Sequence, residues 1–369
     1  MSTLFSPLKL GRHELAHRTA LAPLTRFRAD DNHVPLPFVK EYYAQRGSVP
    51  GTLLITEATI ITPQAGLYPN VPGIYTPAQI SAWREITDAV HARGSLIYLQ
   101  LWALGRTASL DTLKAEGVQD HLVSSSATPL EGAPVPTPLT EEGIQAYIRD
   151  FALAAKRAVD EAGFDGVEVH GANGYLIDQF IQDVVNKRTD GWGGSVEKRG
   201  RFALEVTKAV AEAVGADRTA IRLSPYNTYQ EMGMADPVPQ FTYIVGELAK
   251  LGLAYLHVVG PRVTGSTTIE TTKDIDWLLK AYGNASPVVL CGGFSDKTAV
   301  EAAEKYKGEG FDVVVAFGRW FISNPDLPFR LKEGIEFAPY DRSTFYQPKV
   351  VEGYTDYKFS ERFALKAAA

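Results

Sequence analysis

The chain has 369 residues, 45% hydrophobic and 22% charged, with 37 Lys and Arg against 43 Asp and Glu for a formal net charge of -6. The two signs are interspersed and no basic stripe occurs, so nucleic acid is not an expected partner. A single cysteine, Cys291, excludes a disulfide framework or a cysteine-rich metal site within one chain.

The N-terminus "MSTLFSPLKLGRHEL" lacks the apolar stretch of a secretory leader, and no run of about 18 apolar residues offers a membrane span. A cytoplasmic protein, monomer or homodimer, with no membrane partner is the expectation. Taken in chain order, short apolar runs bounded by turn signals are "TALAPL" (19–24), "TLLITEATII" (52–61), "SLIYLQLW" (95–102), "GVEVH" (166–170), "AIRLS" (220–224), "YLHVV" (255–259), "PVVLC" (287–291) and "DVVVAF" (312–317). Continuous β-branched runs suit strands buried on both faces, as in a parallel sheet. Between them lie helical patterns over 76–94, 140–163, 195–215 and 241–252, several opening on Thr or Ser and closing on Gly.

Strand then helix, eight times over, predicts an α/β chain folded as a single (β/α)8 barrel across residues 1–369. A doubly wound open sheet is the competitor, but no G-x-G-x-x-G follows the first strand. Residues 103–139, after the third strand, are rich in Pro, Ser and Thr and too long for a plain loop. They are expected to form a lid or small subdomain over the barrel mouth, and residues 340–369 a C-terminal extension.

In such a barrel the chemistry sits where the strands end. There the sequence places Thr25 after the first strand, Gln100 and Trp102 on the third, His170 closing the fourth and Arg222 in the fifth. Gly292 and Gly293 follow the seventh strand, and Gly318 and Arg319 the eighth. Glycines let backbone N–H groups approach an anion, and a guanidinium neutralises it, so "CGGF" with "FGRW" reads as a phosphate cradle. The seven histidines are scattered without metal spacing, so no metal is expected. The stretch "HGANGY" (170–175) gathers an imidazole, an amide and a phenol in one loop. Two donors of that kind can hold a carbonyl oxygen while the phenol delivers a proton.

From "LFSPLKLG" to about Glu361 the chain resembles the Old Yellow Enzyme family of FMN-dependent ene-reductases. The motifs that carry the resemblance include "LAPLTRFRA", "TEATIIT", "LQLWALGR", "GFDGVEVHGANGYLIDQFIQDVVNKRTDGWGGSVEKRGRF", "IRLSP" and "FGRWFISNPDLPFRL". The resemblance implies an NAD(P)H oxidoreductase with tight, non-covalent FMN and NADPH as hydride donor. Hydride would pass to the β-carbon of an α,β-unsaturated carbonyl or nitro compound, a small-molecule substrate. It assigns Pro23, Thr25, Ala58, Gln100 and Arg222 to the flavin ring, and Gly292, Gly293, Gly318 and Arg319 to its phosphate. His170 and Asn173 match the pair that grips the substrate oxygen, Tyr175 matches the proton donor, and Trp102, Phe345 and Tyr346 match residues lining the substrate pocket. The chain departs from the family pattern at Trp192 and Lys198, and at Gly293, where some members carry an asparagine toward phosphate. Two other readings use the same residues. A flavin-independent isomerase or lyase barrel for a phosphorylated substrate would need Arg319 and the glycines, but leaves Thr25, Gln100 and Arg222 unexplained. A non-catalytic flavin-binding protein would need no donor at Tyr175.

Overall fold

The computed structural model describes residues 2–265 and 267–368. Eight parallel strands close on themselves: β1 (Thr19–Leu21), β2 (Leu53–Ile55), β3 (Leu96–Trp102), β4 (Gly166–Gly171), β5 (Thr219–Leu223), β6 (Tyr255–Val259), β7 (Val288–Cys291) and β8 (Val313–Phe317). Sequential neighbours pair in parallel and β8 returns to β1 through Ala316 opposite Ala20, so the sheet has no free edge. Each strand leads to a helix on the outside: α1 (Val39–Arg46), α2 (Pro77–His91), α3 (Glu141–Lys156), α4 (Val196–Val214), α5 (Val238–Leu248), α6 (Asp276–Tyr282), α7 (Asp296–Gly308) and α8 (Leu327–Glu333). The expected (β/α)8 barrel is the fold.

Alternation along each strand divides the side chains between two cores. Leu54, Leu99, Val167, Ile221, Leu256, Leu290 and Val315 face the helices. Ala20, Leu53, Tyr98, Ala220, Tyr255, Val289 and Val314 fill the inside. An N-terminal hairpin, Leu8–Leu10 paired with His13–Leu15, adds Leu8, Leu10 and Leu15 to that inner core and stops the bottom of the barrel. Gly11 at its turn has φ +57, and a Cβ there would lie 2.0 Å from the Asp217 carbonyl oxygen. The hairpin seats so closely only because that atom is missing.

Helix starts follow the expected caps. Thr76 accepts from the Gln79 N–H and Gln79 reaches back to complete a capping box, Thr140 caps α3 and Ser195 caps α4. The run 52–61 is not one strand. It breaks into β2 and a short piece, Thr59–Ile60, because Glu57 is turned inward, its carboxylate accepting the Arg26 N–H at 3.2 Å and its own N–H donating to Tyr43 Oη. The pattern 140–163 holds as α3 to Lys156 and then loosens into a wider turn, Arg157–Glu161, before Gly163. The pattern 241–252 begins earlier, at Val238 behind Pro237.

Residues 103–139 form a short helix, Leu110–Ala115, and a two-stranded ribbon of Val123–Ser124 with Thr137–Pro138. Buried Arg106 ties this segment to its neighbours, donating to the Thr128 carbonyl at 3.1 Å and to that of Gln230 at 2.8 Å. The C-terminal segment is strapped to the loop after β1 and to the end of α1 by three buried arginines. Arg26 donates to the carbonyls of Phe345 (2.9 Å) and Gly353 (2.8 Å), Arg28 to those of Val350 and Thr344 (3.0 Å each), and Arg46 to that of Tyr354 (3.1 Å). Tyr354 stacks on Tyr42 at 4.0 Å beneath them. Among the described residues, no helix is long and apolar enough to cross a membrane, and no group of three or more His, Cys, Asp or Glu is placed to hold a metal.

Candidate active site

A cavity of about 800 Å³ opens at the C-terminal ends of the strands. Of the residues singled out in the sequence, Pro23, Thr25, Trp102, Asn173, Tyr175, Arg222, Gly293, Gly318, Arg319, Phe345 and Tyr346 line it. His170 stands just behind that wall, edge-on to Tyr175 at 4.9 Å and parallel to Trp102 at 6.4 Å. Gln100, Ala58 and Gly292 are buried in the layer below. None of residues 103–139 is among the described residues of the cavity wall, which takes its outer side from Tyr68, Tyr229, Phe294 and Tyr340 instead. Those four were not foreseen. Tyr229 follows β5 within "SPYNTY", a strand-end position that the barrel rule alone could have flagged.

The floor is a buried polar network. Parallel register sets Arg222 opposite His170 on one side and His257 on the other. One layer down, Glu168 accepts from Gln100 Nε2 at 2.7 Å and from Tyr255 Oη at 3.0 Å, and pairs with His257 Nδ1 at 2.8 Å. Burial alone would raise the Glu168 carboxyl, but His257, Arg222 and the hydrogen bonds bring it below its usual value. Burial likewise opposes a charge on His257, yet Glu168 holds that imidazole above its usual range. A lone buried carboxylate here would be costly; the charged neighbours compensate it. Arg222 reaches Cys291 Sγ at 3.7 Å, and the thiol, resisted by burial, is lowered by His257 and Arg222.

The wall above is made by the loop after β4. Asn173 sits in the left-handed region at φ +59, its N–H donating to Ser224 Oγ at 2.8 Å. Buried Asp178 accepts the Gly174 N–H at 2.9 Å and the Gln182 amide at 2.9 Å, and burial pushes its carboxyl up to about 7. For His170, burial first, then Arg222 and His257, hold the imidazole well below its usual value, so it is neutral. The Ala172 N–H donates to His170 Nδ1 at 3.3 Å, which leaves the proton on Nε2. Burial keeps the Tyr175 phenol well above its usual value, protonated and able to donate.

Whether these residues suit a flavin is tested by their unmet needs. Arg222 Nε and Trp102 Nε1 are buried donors with no hydrogen-bond partner in the protein, on two residues that line the cavity. A planar ring with polar edges meets such atoms. At the outer end, Gly293 has φ +67 and a Cβ there would come within 3.3 Å of Thr268, while Arg319 donates to the Thr268 hydroxyl. Backbone N–H groups, a guanidinium and a hydroxyl at one end, with unsatisfied nitrogens at the other, fit FMN.

Known proteins resemble this chain along almost its whole length. Residues 3–337 match the model of the NADH:flavin oxidoreductase / NADH oxidase family. A chanoclavine-I aldehyde reductase of Penicillium roqueforti is 60% identical over 100% of both chains. A probable inactive reductase of Epichloe festucae var. lolii is 50% identical over 98% of this chain and 96% of its own. The crystal structure of Old Yellow Enzyme from Pichia sp. AKU4542 superposes with a TM-score of 0.89 at 40% identity, covering 98% of this chain and 94% of that one. With its barrel, its polar floor and the match along almost its whole length, the chain belongs to the NADH:flavin oxidoreductase family, that of Old Yellow Enzyme.

Proposed function

We propose that the protein is an FMN-dependent ene-reductase acting on α,β-unsaturated carbonyl or nitro compounds with NADPH as hydride donor. The observation that carries this reading is the end of β4 with the loop after it, which set a neutral imidazole, an amide and a protonated phenol beside one cavity. Gly292, Gly293, Gly318 and Arg319 would hold the FMN phosphate, Pro23, Thr25 and Ala58 the ring, Gln100 its pyrimidine edge, and Arg222 would stabilise the anionic reduced ring near N1. FMN, when bound, supplies to the substrate the hydride it takes from NADPH.

As the β-carbon is reduced, negative charge gathers on the substrate's oxygen. His170 Nε2–H and the Asn173 amide are donors for that charge, in a site where Trp102 and the tyrosines exclude water and strengthen the interaction. Tyr175 then gives its proton to the α-carbon. A mere flavin carrier would not need that phenol held protonated. Wide aromatic walls at Tyr68, Trp102, Tyr229 and Phe345 suit a flat, bulky substrate. Together with the aldehyde reductase similarity, they favour a flat, bulky conjugated aldehyde. Mixing anaerobically reduced enzyme with enals, enones and nitroalkenes tests the reading: flavin reoxidation with formation of the saturated product is expected. Reoxidation by oxygen alone, with no alkene effective, would overturn it.

A further inference from the structure

The Asn173 side chain can serve an oxyanion only if its NH2 end, not its carbonyl, meets the substrate. The two ends have nearly the same shape, so something must choose between them. The chain of contacts behind Asn173 makes that choice. Asn227 is 3% exposed, and its Oδ1 accepts from the Tyr229 backbone N–H at 2.8 Å and from Thr264 Oγ1 at 3.0 Å. A backbone N–H can only donate, so the oxygen of Asn227 must face it. Its Nδ2 is thereby turned to Asn173 and donates to Asn173 Oδ1 at 2.6 Å. The carbonyl end of Asn173 is thus engaged from behind, and its NH2 is left to the cavity it lines.

We propose that Asn227 is a positioning residue that sets the amide orientation of Asn173 and so presents a donor to the substrate oxygen. The inference rests on the ene-reductase reading of the site. Asn173 is itself held in the left-handed region. The Ser224 hydroxyl and the Gln230 amide fix its backbone N–H and C=O, leaving only the amide to be oriented.

The test is Asn227→Asp in the FMN-loaded enzyme. One carboxylate oxygen still accepts from Tyr229 and Thr264, but the other now opposes Asn173 Oδ1, and the Asn173 amide turns over. With trans-cinnamaldehyde as probe, affinity should fall about 10- to 100-fold, as for a lost hydrogen bond to a charge-bearing oxygen. The bound aldehyde's carbonyl stretch, lowered in the wild type by the donor, should return toward its free value. Asn227→Ala, which removes the donor without adding charge, should give a smaller loss of the same sign. In an Asn173→Ala background either change should alter affinity by less than about twofold, because the effect passes through Asn173. An undiminished loss in that background, or a wild-type carbonyl stretch in Asn227→Asp, would overturn the assignment. A second readout does not depend on catalysis. In protein labelled with 15N at asparagine, the Asn173 NH2 should exchange with water in the wild type and become protected in Asn227→Asp. No change in that exchange counts against the positioning role, whereas failure of the wild type to bind the aldehyde counts against the enzyme reading alone.

Discussion

His170 stands in register with Arg222 across the pairing of β4 and β5, and the two cannot both be charged cheaply. The imidazole, already disfavoured by burial, stays neutral with its proton on Nε2. A group whose value is lowered below the ordinary 6.5 remains deprotonated through the whole neutral range. Oxidation of reduced flavin by 2-cyclohexen-1-one is therefore expected to show no limb from His170 at its ordinary value near 6.5. His170→Gln, which keeps an N–H donor at similar reach, should retain most of the rate. An acid limb near 6.5 that vanishes in that variant would contradict the neutral tautomer.

Changing Tyr175 to Phe deletes one hydroxyl and keeps the ring packed against Trp102 at 4.9 Å. Reduction of the flavin by NADPH should stay near wild type. Reoxidation by a cyclic enone should slow by roughly 10² to 10⁴, the usual cost of losing a general acid. A nitroalkene should lose less, because a nitronate is stable enough to leave and be protonated by water. Single-turnover traces with both oxidants decide the matter; equal losses would make Tyr175 a packing residue only.

Arg319 reaches the Thr268 hydroxyl beside Gly293. Arg319→Ala should weaken FMN retention by about 10- to 100-fold while the barrel stays folded, since a charged hydrogen bond is removed from the rim and not from the core. Fluorescence of released flavin measures the affinity, and mass spectrometry of the ligand should give FMN. Recovery of FAD, or unchanged affinity, would show that the glycine cradle is not the phosphate site.

His17 is buried and fully satisfied as a neutral ring. Its Nδ1 accepts the Thr19 N–H at 3.2 Å and its Nε2 meets Thr52 Oγ1 at 3.0 Å. Burial, helped by Lys332, lowers it to about 4. The unfolded chain therefore binds this proton near 6.5 while the folded one does not until about 4, so stability falls as pH drops through that window. The full contribution is about 3 kcal/mol. Urea unfolding from pH 7 to pH 4 should show that decline, and His17→Gln should flatten it by a comparable amount. Parallel curves for the two proteins would remove His17 as the cause.

The barrel was legible because its buried strands leave eight mostly apolar runs, and its chemistry because polar residues such as His170 and Arg222 stand near the C-terminal ends of those runs. Glu57 marks where that legibility stops. It sits inside an apolar run that reads as one strand, and only the contacts to Arg26 and Tyr43 show that the chain must turn there. Asn227 is invisible for a related reason. An asparagine after a strand reads as a turn residue until its partners, Tyr229, Thr264 and Asn173, are seen. Arg26, Arg28 and Arg46 read as ordinary surface charges, because their acceptors lie some 300 residues away in the chain.

Those three arginines grip the C-terminal segment by its carbonyls, and a carbonyl is the same whatever side chain its residue carries. The strap's hydrogen bonds therefore recognise a path, and the only letters it reads among the described residues are aromatic ones, Phe345 under Arg26 and Tyr354 under Arg26 and Arg28. Tyr346, exposed and lining the cavity from that path, can be exchanged for other residues without touching those hydrogen bonds. A lineage of such enzymes is free to rewrite one wall of its pocket for new substrates while the barrel beneath keeps the same hold.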